Sequence, residues 1–317
     1  MLKTISSLLC TLVMALMVLS PAHATNFKFA TPQQAIEILT ADDEYLKDMK
    51  KIEIALRIGS PSADKTIDDL KAYYAANVIE MPAAEKAIMK ALIVTNKKKL
   101  AKISHLLPDT IYFIKVTSKI EGAIPHTRGN ALVSPVRDRT LSTKLFFHQI
   151  FHIISRNHRE RRASLYNIIG FKQCDYKPTE QVDKYSVKNP EAPFSEFYLP
   201  VKIHGEDSAV ISYLHTDQKG YDPNIEGGYN AQISGDLLQV KVEDGICRPV
   251  VDEAGNPHIF KHDDIKDFYD AVGHNTQYVI HPEEIMAENF AFLMMKKDDI
   301  PSPQIPQDIE EWLNINF

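Results

Sequence analysis

His148 and His152 stand four residues apart in the stretch Leu145–His158, LFFHQIFHIISRNH. An α-helix turns ~100° per residue, so an i,i+4 pair lies on one face, about 40° apart. Two imidazoles placed this way can close on one metal ion. Between them stands Gln149, at the position where the HExxH zinc helix carries the glutamate that activates water. The pattern is intact as a metal grip and broken as a general base. Taken alone, the pair also fits two satisfied core histidines.

A second stretch strengthens the metal reading. Tyr278–Met295 reads YVIHPEEIMAENFAFLMM. Pro282 suits the first turn of a helix, with acidic residues at its positive end. Glu284 and Glu288 are i,i+4 and share a face, as the two histidines do. Carboxylates among so many apolar residues are costly to bury unless paired or bound to metal. The alternative is a pair of solvated acids on an outer face.

Several elements must position these residues. Phe146, Ile150, Phe151, Ile153 and Ile154 leave the first helix, expected from Thr140 to Ser155, little surface suited to water. Thr31-Pro32-Gln33-Gln34 reads as a capped helix start. Helical spacing recurs around residues 45–57, 65–76 and 83–105, so residues 25–105 read as a helical region with no chemistry of its own. At Pro108 the pattern changes. Ile111–Val116 suits a strand, and Gly129–Ser134 a shorter one. A strand beside a metal helix offers an edge for main-chain recognition of peptide. His126 and Arg128, in the connection, read either as residues facing the site or, in preference, as solvated loop residues. Residues 198–203, 209–214 and 237–242 are further strand candidates. Helix returns at 263–272 and 282–296, and a short helix at 309–313 docks Trp312.

Composition sets the class. The chain has 317 residues, 44% hydrophobic and 25% charged, with a net charge of −6. That is globular composition, without the basic footprint of a nucleic-acid partner. Residues 1–24 read as a secretory signal peptide: Lys3, an apolar run, and Ala22-His23-Ala24 as the cleavage site. The expected mature protein is exported, to the periplasm or beyond the cell, and is not a membrane protein. Its two remaining cysteines, Cys174 and Cys247, are then either bridged or two buried free thiols.

HxxxH followed by ExxAE on a second apolar helix resembles the gluzincin zinc metallopeptidases. The nearest likeness is to bacterial secreted metallopeptidases with segments of the HExFHxxSRN and HPEExxAENFA type. Here those segments are 148–157 and 281–291. The resemblance implies zinc held by His148, His152 and Glu284. It further implies Glu288 orienting a ligand and Tyr278 steadying an oxyanion. The expected fold is α+β: a zincin-like core over residues 106–317 behind the helical region, with a β-rich insertion at about 175–260. The gap from His152 to Glu284 is long for the class.

Gln149 is the other departure. An amide cannot take a proton from water, and losing a general base costs ~10²–10⁴-fold. Three explanations remain open: a natural protein that binds peptide or protein without cutting it, an introduced Glu→Gln change that traps substrate, or another acid serving as base, with Glu121, Glu160 and Glu288 as candidates. The intact leader and the lack of any tag speak against an introduced change. A reading of a different class is an exported binding or scaffold protein without metal.

Overall fold

The computed structural model describes residues 25–137 and 141–316. The expected signal peptide and the expected helix start at Thr140 lie outside them. The strands are β1 (Asn26–Phe29), β2 (Val78–Ile79), β3 (Thr110–Val116), β4 (His126–Arg128), β5 (Ala131–Pro135), β6 (Lys172–Gln173), β7 (Asp175–Tyr176), β8 (Phe197–Ile203), β9 (Glu206–His215), β10 (Ser234–Glu243), β11 (Ile246–Pro249) and β12 (Ile259–Phe260). The α-helices are α1 (Pro32–Leu39), α2 (Lys51–Ile58), α3 (Ile67–Ala76), α4 (Ala83–Thr95), α5 (Lys97–Lys102), α6 (Thr143–Asn157), α7 (Arg162–Tyr166), α8 (Glu180–Asp183), α9 (Lys266–Val272), α10 (Pro282–Met295) and α11 (Gln304–Asn316). The protein is a mixed α and β fold with two sheets.

The first sheet runs β1-β3-β5-β4. β1 and β2 share one edge of β3, β1 parallel along Thr110–Phe113 and β2 antiparallel at Lys115 and Val116. β5 is parallel to β3 on its other side, and β4 closes the sheet antiparallel to β5. Residues 25–105 are therefore not purely helical, since they contribute two strands. β1 alternates, placing Phe27 and Phe29 against Phe113 with ring centres 6.1 and 5.5 Å apart. Phe27 also meets Phe146 of α6, which fixes that helix on the sheet.

Two expected helices are shorter than their periodicity. The one expected over 45–57 begins only at Lys51, because Asp48 takes a left-handed conformation and Lys50 is extended. The one expected over 83–105 divides at Asn96, whose side-chain amide donates to the Leu92 carbonyl and ends the ladder. The Thr31 capping box forms as the sequence suggests. The C-terminal helix is longer than expected, spanning Gln304–Asn316.

The second sheet occupies the region expected to be β-rich. β8, β9, β10 and β11 form an antiparallel meander, with β6 and β7 on its flanks and β12 beside β10. Cys174 and Cys247 are joined by a disulfide across 73 residues, among Val182, Ile211, Tyr213 and Leu238. Closing a loop of that length removes unfolded-state entropy worth roughly 4 kcal/mol. Reduction is expected to lower the denaturation midpoint in urea by a corresponding amount. An unchanged midpoint with fully titrated thiols would count against that estimate.

Candidate metal centre

α6 and α10 lie against one another, with Phe151 and Phe290 in contact at 5.5 Å between ring centres. Ser142 caps α6, accepting from the Leu145 N–H. α10 begins at Pro282, and His281 is its cap, with Nδ1 accepting the Glu283 N–H at 3.0 Å. Packing brings one face of each helix together, so the acids at the start of α10 meet the histidines in the middle of α6.

His148, His152 and Glu284 converge there, all buried, as a group that could hold a metal ion. Glu284 Oε2 lies 3.1 Å from His148 Nε2 and 3.4 Å from His152 Nε2. Three donors at tetrahedral positions with bonds of about 2.1 Å stand about 3.4 Å apart. The two distances therefore suit one small cation between the three atoms. Nε2 of His152 and Oε1 of Gln149 are both buried without a hydrogen bond. The site thus has polar atoms still wanting a partner.

Each histidine has a carboxylate behind it, hydrogen-bonded to Nδ1 at His152 and in close charge contact at His148, whose Nδ1 has no well-aligned hydrogen bond. Nδ1 of His148 is 3.1 Å from Glu288 Oε1, and Nδ1 of His152 is 2.8 Å from Glu283 Oε1. A carboxylate on Nδ1 fixes the ring and directs Nε2 into the site. Glu288 lies behind His148 and is itself held by Lys144 and Thr276. Glu283 was not singled out by the sequence. It also accepts from Ser155 Oγ at 2.6 Å and from Tyr166, and Arg162 in turn donates to Ser155. Asn189 was missed as well. It donates to Glu284 Oε1 at 2.7 Å, leaving Oε2 for the histidines.

The electrostatics follow from three buried acids facing two imidazoles. Burial opposes ionising Glu284, but His152 and His148 outweigh it and hold its pKa well below the usual carboxylate value. Burial likewise opposes charging His148 and His152. Glu284 and Glu288 outweigh it at the first, and Glu191, Glu284 and Glu283 at the second, so both pKa values are raised. Glu288 is pulled down to about 2: burial works against this, but His148 and Lys144 prevail. Such a cluster needs positive charge, which protons or a metal cation can supply.

Gln149 faces the same place. Its Nε2 donates to the Pro125 carbonyl at 3.4 Å. Tyr278 lines the cavity with its ring centre 6.2 Å from that of His148. Although the residue is 39% exposed overall, desolvation of the phenol and then Glu284, Glu191 and Glu288 raise its pKa, so it remains an O–H donor. The cavity has a volume of about 470 Å³.

None of the three acids weighed as substitute bases stands where Gln149 does. Glu160 is largely exposed beside Arg161 and His158. Glu121 borders the cavity but is engaged by Tyr45, Tyr74 and Arg57. Glu288 lies behind His148 and is held by Lys144 and Thr276. His126 and Arg128 are not solvated loop residues: both are buried in β4, Arg128 pairing with Asp43 at 2.8 Å.

His281 makes the start of α10 sensitive to acid. Burial lowers its pKa to about 4, and Nδ1 must stay unprotonated to accept from Glu283. The unfolded chain binds this proton near pH 6.5, the native chain only near 4. Stability is therefore lost as pH falls through that window, by up to ~3 kcal/mol from this one group. His281→Asn keeps a capping acceptor without the titration. It is expected to flatten the stability profile between pH 6.5 and 4.5 in urea titrations. An unchanged slope would assign the acid sensitivity to other groups.

No protein-family model, curated protein or solved structure matches this chain. Among the described residues, no helix is long and apolar enough to cross a membrane.

Proposed function

We propose that this chain is an exported zinc protein of the metallopeptidase type, with a zincin-like core, that binds peptide and hydrolyses it poorly. The observation that carries the reading is the convergence of His148 Nε2, His152 Nε2 and Glu284 Oε2, with a carboxylate behind each imidazole. Two nitrogens and one carboxylate oxygen, with room for a further ligand, fit catalytic-type zinc better than a closed structural site. Bound zinc would supply a Lewis acid that polarises a carbonyl and acidifies water. The chain's own residues supply orientation. Glu283, Glu288 and Asn189 hold the three ligand side chains, and Tyr278 offers an O–H donor at the cavity wall. Gln149 can accept or donate a hydrogen bond there, but its amide cannot carry a proton away. The disulfide supports export, because such bonds persist in oxidising compartments.

The test is metal analysis of the full mature chain, purified without chelator and then supplied with zinc. One zinc per chain, lost on His148→Ala, is the expected outcome. A chain that takes up no zinc at neutral pH would be a metal-free binding or scaffold protein instead.

A further inference from the structure

Extended peptides gain affinity by adding to a sheet edge, where every second residue offers an N–H and a C=O. The edge beside the metal centre is β4, and on its side away from β5 three main-chain groups at and beside the strand are already engaged. On the side away from β5, the Thr127 N–H donates to Glu191 Oε1 at 2.6 Å. Pro125, two residues earlier, has no N–H, and its carbonyl accepts from Gln149. The Gly129 carbonyl, two residues later, accepts from Arg156 at 2.9 Å. Arg156 also pairs with Glu191 at 3.1 Å, closing the arrangement.

The segment that brings Glu191 is firmly held. The Lys188 N–H donates to Glu53 Oε1 at 2.7 Å, and its carbonyl accepts from Arg57 at 2.8 Å. The side chains of Glu53 and Arg57 are fully buried on α2. The next residue is Asn189, which holds Glu284. Moving this segment aside to seat an extended chain would therefore take the support from a metal ligand. What remains open is the cavity of about 470 Å³, a size that encloses small ligands.

We propose that the centre takes a short peptide, a chain end of a few residues, and not an internal segment of an extended polypeptide. This rests on the zinc and peptide reading above. The Glu191 carboxylate is a built-in occupant of the Thr127 N–H, in place of a substrate carbonyl.

The test uses the zinc-loaded full chain and two probes with the same metal-binding group. One is a phosphinic dipeptide analogue. The other carries that phosphinic unit at the centre of a ten-residue unstructured peptide. Calorimetry is expected to show the short probe binding at least 10-fold tighter. Equal or tighter binding of the long probe overturns the proposal while leaving the zinc reading standing. Binding of neither, with zinc held, overturns the peptide reading as well. Glu191→Ala should free the Thr127 N–H and improve the long probe relative to the short one by ~10-fold. Should that variant not fold, amide exchange with the unaltered protein decides. The long probe's own amides are expected to exchange as freely with this protein present as without it, and their protection on adding the zinc-loaded chain would sink the idea.

Discussion

Replacing His148 or His152 by alanine is expected to lower zinc affinity by more than ~10²-fold, because each removes one of three converging donors. Glu284→Ala should do the same, whereas Glu283→Gln and Glu288→Gln should cost ~10–100-fold, as carboxylates behind a ligand do. Competition with a chromophoric chelator measures all five. A second readout is stability. Zinc at a thousandfold excess over its dissociation constant stabilises by about 4 kcal/mol, and the alanine variants should show no such gain. The pH dependence has a definite sign. His148 and His152 have raised pKa values, so zinc must displace protons that persist above the ordinary histidine range near 6.5. Apparent zinc affinity should therefore climb with pH across that range, with proton release on binding. If Glu288→Ala lost more affinity than Glu284→Ala, the carboxylate assignment would be reversed. Stoichiometric zinc in His148→Ala would remove the site altogether.

The parts of this centre legible in the sequence are those within one helix. His148 with His152, and Glu284 with Glu288, share faces by periodicity alone, and the structure turns those faces towards each other. Glu283 shows the limit. Adjacent helix residues point ~100° apart, so one of Glu283 and Glu284 faces the ligand atoms while the other goes behind. Which one does so is decided by Ser155, Tyr166 and His152, the last 131 residues away. Asn189 lies in a stretch with no pattern, and only its contact with Glu284 marks it. β4 was hidden for a related reason. His-Thr-Arg reads as solvated loop, yet its burial is satisfied by Asp43 and Glu191, 85 and 64 residues distant. β1 carries a visible alternation, Phe27 and Phe29, but four residues are too few to separate a strand from a leader's end. By contrast, the change to β structure after Pro108 and the β-rich region before α9 could be read, because strand alternation and turn residues are local signals.

Gln149→Glu should raise peptide hydrolysis by ~10²-fold or more in the zinc-loaded protein. The change exchanges one amide nitrogen for an oxygen in a side chain already buried at the site. It gives up the Nε2 bond to the Pro125 carbonyl, which at 3.4 Å is weak. The new carboxylate would lie among other acids and in low dielectric, and both raise its pKa towards the range useful for a base at neutral pH. It could then take the proton of the attacking water and deliver it to the leaving amine, which the amide of Gln149 cannot do. A short fluorogenic peptide is the substrate of choice, with casein alongside because Glu191 already takes the Thr127 N–H of β4. Adding His148→Ala should abolish the gain, since the base has no use without the metal. Chelator-sensitive hydrolysis by the unaltered protein would mean that another acid works as base. Glu121→Gln, Glu191→Gln and Glu288→Gln would then identify it, all three acids lining the cavity. If zinc and the phosphinic dipeptide bind but neither form hydrolyses peptide, the missing base is not the only missing part, and the site serves to hold a peptide rather than to cut it.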